Sequence, residues 1–349
     1  VNETVLRVRT APVAINARAA VRAQIGGVER LTRELALRLP ALRPDRYRVI
    51  RPLRGLAHRA GHVWEQALLP AQAAGAPVIL SPANLAPAAS RRNVVVIHDA
   101  AALRHPEAYS GVFVAYHRQI LPLLARRARL VLTPSAFSRG ELVEVLGADP
   151  DRVVVVPEGV DGRFRPDADS GATRRRHGLE RPYGLVVGTV SDRKNLAVLE
   201  PVARALAGRG IELVVAGSDR GYLRGGVPGV RRLGYVDEAL LPGLYAGARV
   251  VVMPSRYEGF GLPCLEAMAS GVPLVAARAA ALPEVCGDAA LLVDLDRGGE
   301  LADATVTAAT DDRMRAALRV AGIVRAAQFT WDRTATLTDE AVRPLLAAD

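Results

Sequence analysis

Two acids, Glu258 and Glu266, stand eight positions apart in RYEGFGLPCLEAMASGVPLVAA (256–277), with Gly259, Phe260 and Gly261 between them. The preceding RVVVMPS reads as a strand, RYEGFG as a turn, and LPCLEAMAS as a short helix. Pro263 lies near the helix start and Gly271 near its end, the usual order of those two residues. The glycines permit a tight turn and let a ligand approach backbone N–H groups. Glu266, one turn into the helix, is placed to accept hydrogen bonds from vicinal hydroxyls such as those of a ribose. Glu258, before the turn, is placed to hold a second hydroxyl-bearing group. The pair suits a ligand with two sugars joined by phosphates; two surface glutamates stabilising a helix dipole are the plain alternative.

The cation that such a ligand needs is marked by composition. Of 46 basic residues, Lys194 is the one lysine and the rest are arginines. Lysine offers a compact charge with rotatable donors where arginine offers a planar fork. Lys194 follows Arg193 in YGLVVGTVSDRKN, between a strand and the helical run LAVLEPVARALAG. At or just before a helix N-terminus, free N–H groups and the dipole already favour anions, and two cations there make a diphosphate clamp.

Weaker candidates lie in the first half. Gly26-Gly27 precedes an amphipathic helical run and can cradle phosphate, although it is not a GxGxxG fingerprint. His98 and Asp99 end the apolar run NVVVIHD, where His98 is placed either to face a cleft or to serve as a structural histidine, and Asp99 either to join it or to cap a helix. Ser135, after RLVLTP, reads as an N-cap. Asp294 and Asp296 in DLD sit away from the other candidate loops, and His58 and His62 lack a third ligand, so neither pair is expected to bind metal. Cys264 is expected to pack. Serine-hydrolase, P-loop and zinc signatures are absent.

The elements that must position these residues form two series. VLRVR, YRVIRP, PVILSP, NVVVIHD, RLVLTPS and VVVVP come first, and YGLVVGTV, IELVVAGS, VRRLGYV, RVVVMPS, VPLVAA and ALLVD follow a polar stretch at 161–182. Apolar strands separated by helices predict parallel sheets covered on both faces, hence two doubly wound α/β domains, with ligands beyond the strand carboxyl ends. The expected domains span 1–165 and 166–328, and 329–349 forms a terminal helix anchored by Trp331 and packing back toward the first domain. A length of 349 residues with half of them hydrophobic agrees with two cores. Two cysteines and the lack of a long apolar run or signal-like N-terminus predict a cytoplasmic protein. The net charge of +10 favours phosphate-bearing ligands; 4% aromatics is too few for a base-stacking nucleic-acid platform.

In this order the segments GGVER, SPANLAP, VVVIHD, LVLTPSAFSRGEL, RVVVVPEGVD, VVGTVSDRKN, LGYVDEALLPGLYAGA, EGFGLPCLEAM, LPEVCGDAALLV and FTWDRTA cover nearly the whole chain, which resembles the retaining, nucleotide-sugar-dependent glycosyltransferases of family four, with the GT-B fold. The resemblance implies that Glu258, with the backbone of Gly259, Phe260 and Gly261 and the adjoining Leu262, holds the donor sugar. It implies Glu266 on the ribose, Lys194 and Arg193 on the diphosphate, Tyr235 and Val236 along the base, His98 near the reacting sugar, and Gly27 close to the diphosphate. Many relatives carry arginine where Thr189 stands, so Arg193 is expected to supply that charge. Where relatives commonly have asparagine, this chain has Glu158, an exchange expected to be neutral. The implied activity is metal-independent hexosyl transfer, with mannose from GDP-mannose as first choice and a UDP- or dTDP-glucose donor as the alternative. The expected acceptor is a hydroxyl of a glycan, glycolipid or small molecule. A catalytically inactive nucleotide- or glycan-binding protein is the rival from another class. A solvated helix face is the first reading of arginine-bearing helices such as ILPLLARRARL (120–130), with contact to a membrane surface as the alternative for a lipid-linked acceptor.

Overall fold

The computed structural model describes residues 11–22, 24–53, 61–189, 191–218 and 227–347. Twelve strands form two parallel sheets. The first contains β1 (Val13–Asn16), β2 (Tyr47–Ile50), β3 (Val78–Ser81), β4 (Asn93–Val96), β5 (Leu130–Thr133) and β6 (Val153–Val155), in the order β2-β1-β3-β4-β5-β6. The second contains β7 (Tyr183–Val187), β8 (Glu212–Ala216), β9 (Val230–Gly234), β10 (Val250–Met253), β11 (Leu274–Ala277) and β12 (Leu291–Val293), in the order β12-β11-β10-β7-β8-β9. Every residue of β1, β3, β4, β5, β10 and β11 is buried, as expected for strands covered by helices on both faces.

Strand order matters because loops diverge where winding reverses, and the crevice left there takes the ligand. In the second sheet that point lies between β7 and β10, so the loop carrying Arg193 and Lys194 faces the loop carrying Glu258. In the first sheet it lies between β1 and β3.

All six expected strand runs of the second half contain a strand, and five of the six in the first half do. VLRVR at 5–9 lies outside the described residues. The strand β1 was not expected: VAIN is four residues long and contains Ala14 and Asn16, which have weak strand preference. Its place between β2 and β3 supplies the pairing that propensity does not.

Two local expectations are corrected. The polar stretch at 161–182 contains the helix Ser170–His177. Asp169 caps it by accepting from Gly171 N at 2.9 Å and Ala172 N at 3.2 Å, and Gly178 ends it at φ 59°. Arg193 and Lys194 do not stand at the N-terminus of the following α-helix, which runs Leu199–Ala207. They occupy a 3-10 turn, Asp192–Lys194, separated from that helix by Asn195 at φ 54° and a second short turn.

The terminal segment forms the helix Trp331–Val342 and a 3-10 turn, Arg343–Leu346. Trp331 is buried. This helix rests against the helix Gly27–Leu42, where Arg38 pairs with Asp332 at 2.8 Å. Tyr47 donates to Asp339 at 2.8 Å, and Arg46 pairs with the same carboxylate at 2.5 Å. Val160 N donates to Phe329 O at 3.0 Å, bringing the chain in beside Thr330.

Candidate functional site

A cleft of about 910 Å³ opens between the carboxyl ends of the two sheets. Its walls include all thirteen candidates: Gly27 and His98 from the first half, and Thr189, Arg193, Lys194, Tyr235, Val236, Glu258, Gly259, Phe260, Gly261, Leu262 and Glu266 from the second.

Glu258 is the electrostatic centre. Its Oε1 lies 2.7 Å from Lys194 Nζ and 3.1 Å from Arg193 Nη1. Burial alone would raise the Glu258 carboxyl, but the two cations outweigh it and hold the group at about 2. Burial pulls the Lys194 ammonium downward and Arg193 adds to that, while Glu258 opposes both. The pair is charged because each partner sits against the other. Lysine has three donors, so one ion pair with Glu258 does not exhaust them. Arg193 also donates to Tyr257 O at 3.1 Å, which ties the two loops together.

Two glycines at strand ends make room for this lysine. Gly188, after β7, has φ 151°, and a Cβ there would lie 2.8 Å from Lys194 Cε. A Cβ on Gly217, after β8, would lie 1.8 Å from Gly188 O. Gly259 plays the same part between the halves, since a Cβ on it would fall 2.5 Å from His98 O. At that crossing Ser135 Oγ donates to Gly259 O at 2.6 Å while accepting from Ser138 N at 3.0 Å, so this residue both caps a helix and joins the halves.

His98 lies at the cleft wall with both ring nitrogens engaged: Nδ1 is 2.9 Å from Glu158 Oε1 and Nε2 is 3.1 Å from Pro82 O. Both partners are acceptors, an arrangement satisfied when both nitrogens carry protons. Burial disfavours that charge, but Glu158 and the Pro82 carbonyl prevail and His98 is raised above its ordinary value. The Glu158 carboxylate, which stands where relatives commonly have asparagine, is the partner of His98 Nδ1.

Glu266 sits inside the helix Leu262–Ala269, on the wall beside Gly27. Oε2 accepts from Tyr245 Oη at 2.7 Å, and Oε1 accepts from Arg30 Nη1, reaching across from the first half. Arg30 Nη2 donates to Glu238 at 2.9 Å. Burial opposes the Arg30 charge, but the two carboxylates raise its pKa further. The Gly26-Gly27 turn is already furnished with an acid, since Gly26 N donates to Glu29 Oε2 at 3.1 Å.

Sequence reasoning left Arg30, Glu238, Tyr245, Gly188 and Gly217 without a role. Arg30 was visible inside GGVER and the glycines at the ends of apolar runs, but their partners lie far along the chain. Among the weaker candidates, Asp99 precedes the Ala101–Arg104 turn, whose N-cap is Ala100, and accepts from Ala101 N at 2.9 Å. Asp294 sits 3.6 Å from Arg297 and accepts from Asp296 N. Among the described residues no group of three or more His, Cys, Asp or Glu side chains could hold a metal. His62 packs edge-on to Tyr116; His58 lies outside the described residues. The Cys264 thiol is pushed up by its contact with Cys286 and by burial, so it packs as a neutral group. No helix among the described residues is long and apolar enough to cross a membrane.

Comparison with known proteins bears on the family and the fold. Residues 181–311 match the family described as "Glycosyl transferases group 1", and residues 71–163 match "Glycosyltransferase Family 4". The O-antigen chain mannosyltransferase B of Escherichia coli is 33% identical over 276 residues, 73% of this chain and 71% of that protein. The D-inositol 3-phosphate glycosyltransferase of Actinosynnema mirum is 36% identical over 219 residues, 56% of this chain and 52% of its own. The chain thus spans about half the length of that relative. Among solved structures, sucrose-phosphate synthase from Thermosynechococcus elongatus superposes with a TM-score of 0.76 at 22% identity, over 97% of this chain and 100% of that one. Anabaena HepE, in complex with UDP and glucose, superposes with a TM-score of 0.70 at 21% identity, over 96% and 100%. With two parallel sheets facing a cleft and this extent of shared sequence, the chain belongs to the family 4, group 1 glycosyltransferases of the GT-B fold.

Proposed function

We propose that this glycosyltransferase moves a hexose, mannose from GDP-mannose in the first instance, to a hydroxyl of a glycan, glycolipid or small-molecule acceptor with retention at the anomeric carbon. The observation that carries the reading is the Lys194–Arg193–Glu258 cluster at the switch point between β7 and β10, with Glu266 along the same wall. The mannosyltransferase relative supports the choice of mannose. The UDP-glucose bound by HepE makes UDP-glucose the second donor to test.

Lys194 and Arg193 take the diphosphate, Glu258 and the Gly259–Leu262 backbone the donor sugar, Glu266 the ribose, and Tyr235 and Val236 the base. The anomeric carbon–oxygen bond breaks as the acceptor oxygen attacks from the same face. The electron pair leaves with the diphosphate, whose oxygen takes the acceptor proton. The two cations stabilise the developing charge without a divalent metal. His98, with both ring nitrogens engaged, is not the base; it shapes the wall beside the sugar. The residues before 166 form the acceptor domain, 166–328 the nucleotide domain, and 329–349 the segment that returns to the first. Closure of the halves excludes water and limits hydrolysis. The reaction side is cytoplasmic, with the first domain resting against a membrane when the acceptor is lipid-linked.

The test is thermal stability with GDP, UDP, dTDP and ADP, with and without a chelator, for the wild type and Lys194→Ala. A nucleotide at 100 times its dissociation constant adds about 2.7 kcal/mol. One nucleotide should raise the melting temperature in the presence of chelator and lose its effect in the variant. No shift from any of the four would remove the donor site and leave the inactive binding protein as the reading to pursue.

A further inference from the structure

Arg30 belongs to the first half and reaches across to acids of the second. It lies in the first turns of the helix Gly27–Leu42, and its planar fork is divided between two acids of the opposite half: Nη1 on Glu266 Oε1 and Nη2 on Glu238 Oε1 at 2.9 Å. Its guanidinium carbon stands 5.7 Å from the Phe164 ring centroid, which supports the flat group from the side. Arg30 is 9% exposed and Glu266 4%. An ion pair removed from water this far is fixed in geometry, unlike a surface pair.

The consequence falls on Glu266. One carboxylate oxygen is held by Arg30 and the other by Tyr245 Oη at 2.7 Å, so the plane of the carboxylate is set from two sides. Each oxygen accepts twice, so one acceptor direction per oxygen remains for a pair of neighbouring hydroxyls. Loss of either support frees the carboxylate to turn. Tyr245 belongs to the same half as Glu266, but Arg30 does not. The first half therefore takes part in orienting a group on the nucleotide side.

We propose that Arg30 is a donor-positioning residue: it holds Glu266 in the orientation that receives the ribose diol and so ties donor recognition to contact between the halves. This rests on the reading of Glu266 as the ribose acceptor. Lysine cannot replace Arg30, because a point charge does not span Glu266 and Glu238 in a fixed plane.

The experiment compares binding of GDP with 2′-deoxyGDP, and UDP with 2′-deoxyUDP, by calorimetry. The proteins are the wild type, Glu266→Gln, Arg30→Gln and Arg30→Lys, each first shown to melt cooperatively. Wild type should favour the ribonucleotide, and all three variants should lose about tenfold of that preference, as expected for a charged hydrogen bond set loose. Affinity for the deoxy form should change little, which a general loss of packing would not leave intact. Full preference in both Arg30 variants beside its loss in Glu266→Gln would overturn the role of Arg30 alone. Equal binding of both forms by wild type, or preference surviving in Glu266→Gln, would overturn the ribose reading and this proposal with it. Should Arg30→Gln fail to fold, Arg30→Lys decides the question by the same ratio.

Discussion

Glu258 and Glu266 stand eight positions apart but answer to different partners, the first to two cations of its own half and the second to an arginine of the other. The same distinction explains how the site responds to pH. Glu258 is held at about 2 against an ordinary 4.5, a depressed value. Its stabilisation is thus complete above 4.5 and is lost as pH falls through 2. His98 is raised above its ordinary 6.5, so its contribution is complete below 6.5 and is lost as pH climbs through the folded value. Glu158 and Asp99 are the acids facing it. Glu158→Gln should therefore lower the His98 titration midpoint and bring the alkaline loss of stability to lower pH. Following the imidazole by NMR alongside melting temperature tests this, and an unmoved midpoint would mean that Glu158 does not govern the charge.

At the scale of elements, the site depends on loops that cannot carry side chains where they cross. Gly217→Ala places a methyl 1.8 Å from Gly188 O, a backbone atom with little freedom to move, and should cost about 1–3 kcal/mol in urea unfolding. Gly188→Ala meets the flexible Lys194 side chain instead, at a φ of 151° that disfavours any Cβ. It should displace the ammonium and reduce nucleotide binding more than it reduces stability. Equal losses in both properties would contradict that division. These glycines were legible as ends of apolar runs, VVG and VAG, but what they accommodate was not, because Lys194 reaches Gly188 only after the 3-10 turn folds back.

Across the whole molecule the halves meet through polar contacts, buried at Gly259 and Tyr257 and exposed at Glu284. Ser135 Oγ lies 2.6 Å and Ser138 Oγ 2.9 Å from Gly259 O, Tyr257 Oη donates to Glu141 at 3.0 Å, and Glu284 accepts from Ala136 N at 2.8 Å and Phe137 N at 3.1 Å. Replacing both serines with alanine should remove about 1–3 kcal/mol for the two bonds to Gly259 O, at roughly 0.5–1.5 kcal/mol each, in addition to the loss of the Ser135 helix cap. The double variant should show a larger radius of gyration by small-angle scattering while each half keeps its secondary structure. A radius equal to wild type would show that the other contacts suffice to hold the halves together.

The amino-acid sequence by itself determined the class of fold and the acids, glycines and lone lysine of the cleft wall. Apolar runs, turn glycines and residue chemistry are local properties, and they survive in one dimension. Strand β1 escaped because VAIN is too short to announce itself, and its pairing with β2 and β3 is a long-range matter. The tertiary structure alone decided that Glu158 meets His98, 60 positions away, and that Arg30 holds Glu266, 236 positions away. An acid is written in the sequence, but its partner, and therefore its orientation and proton affinity, is set only when two halves of the chain close on the same cleft.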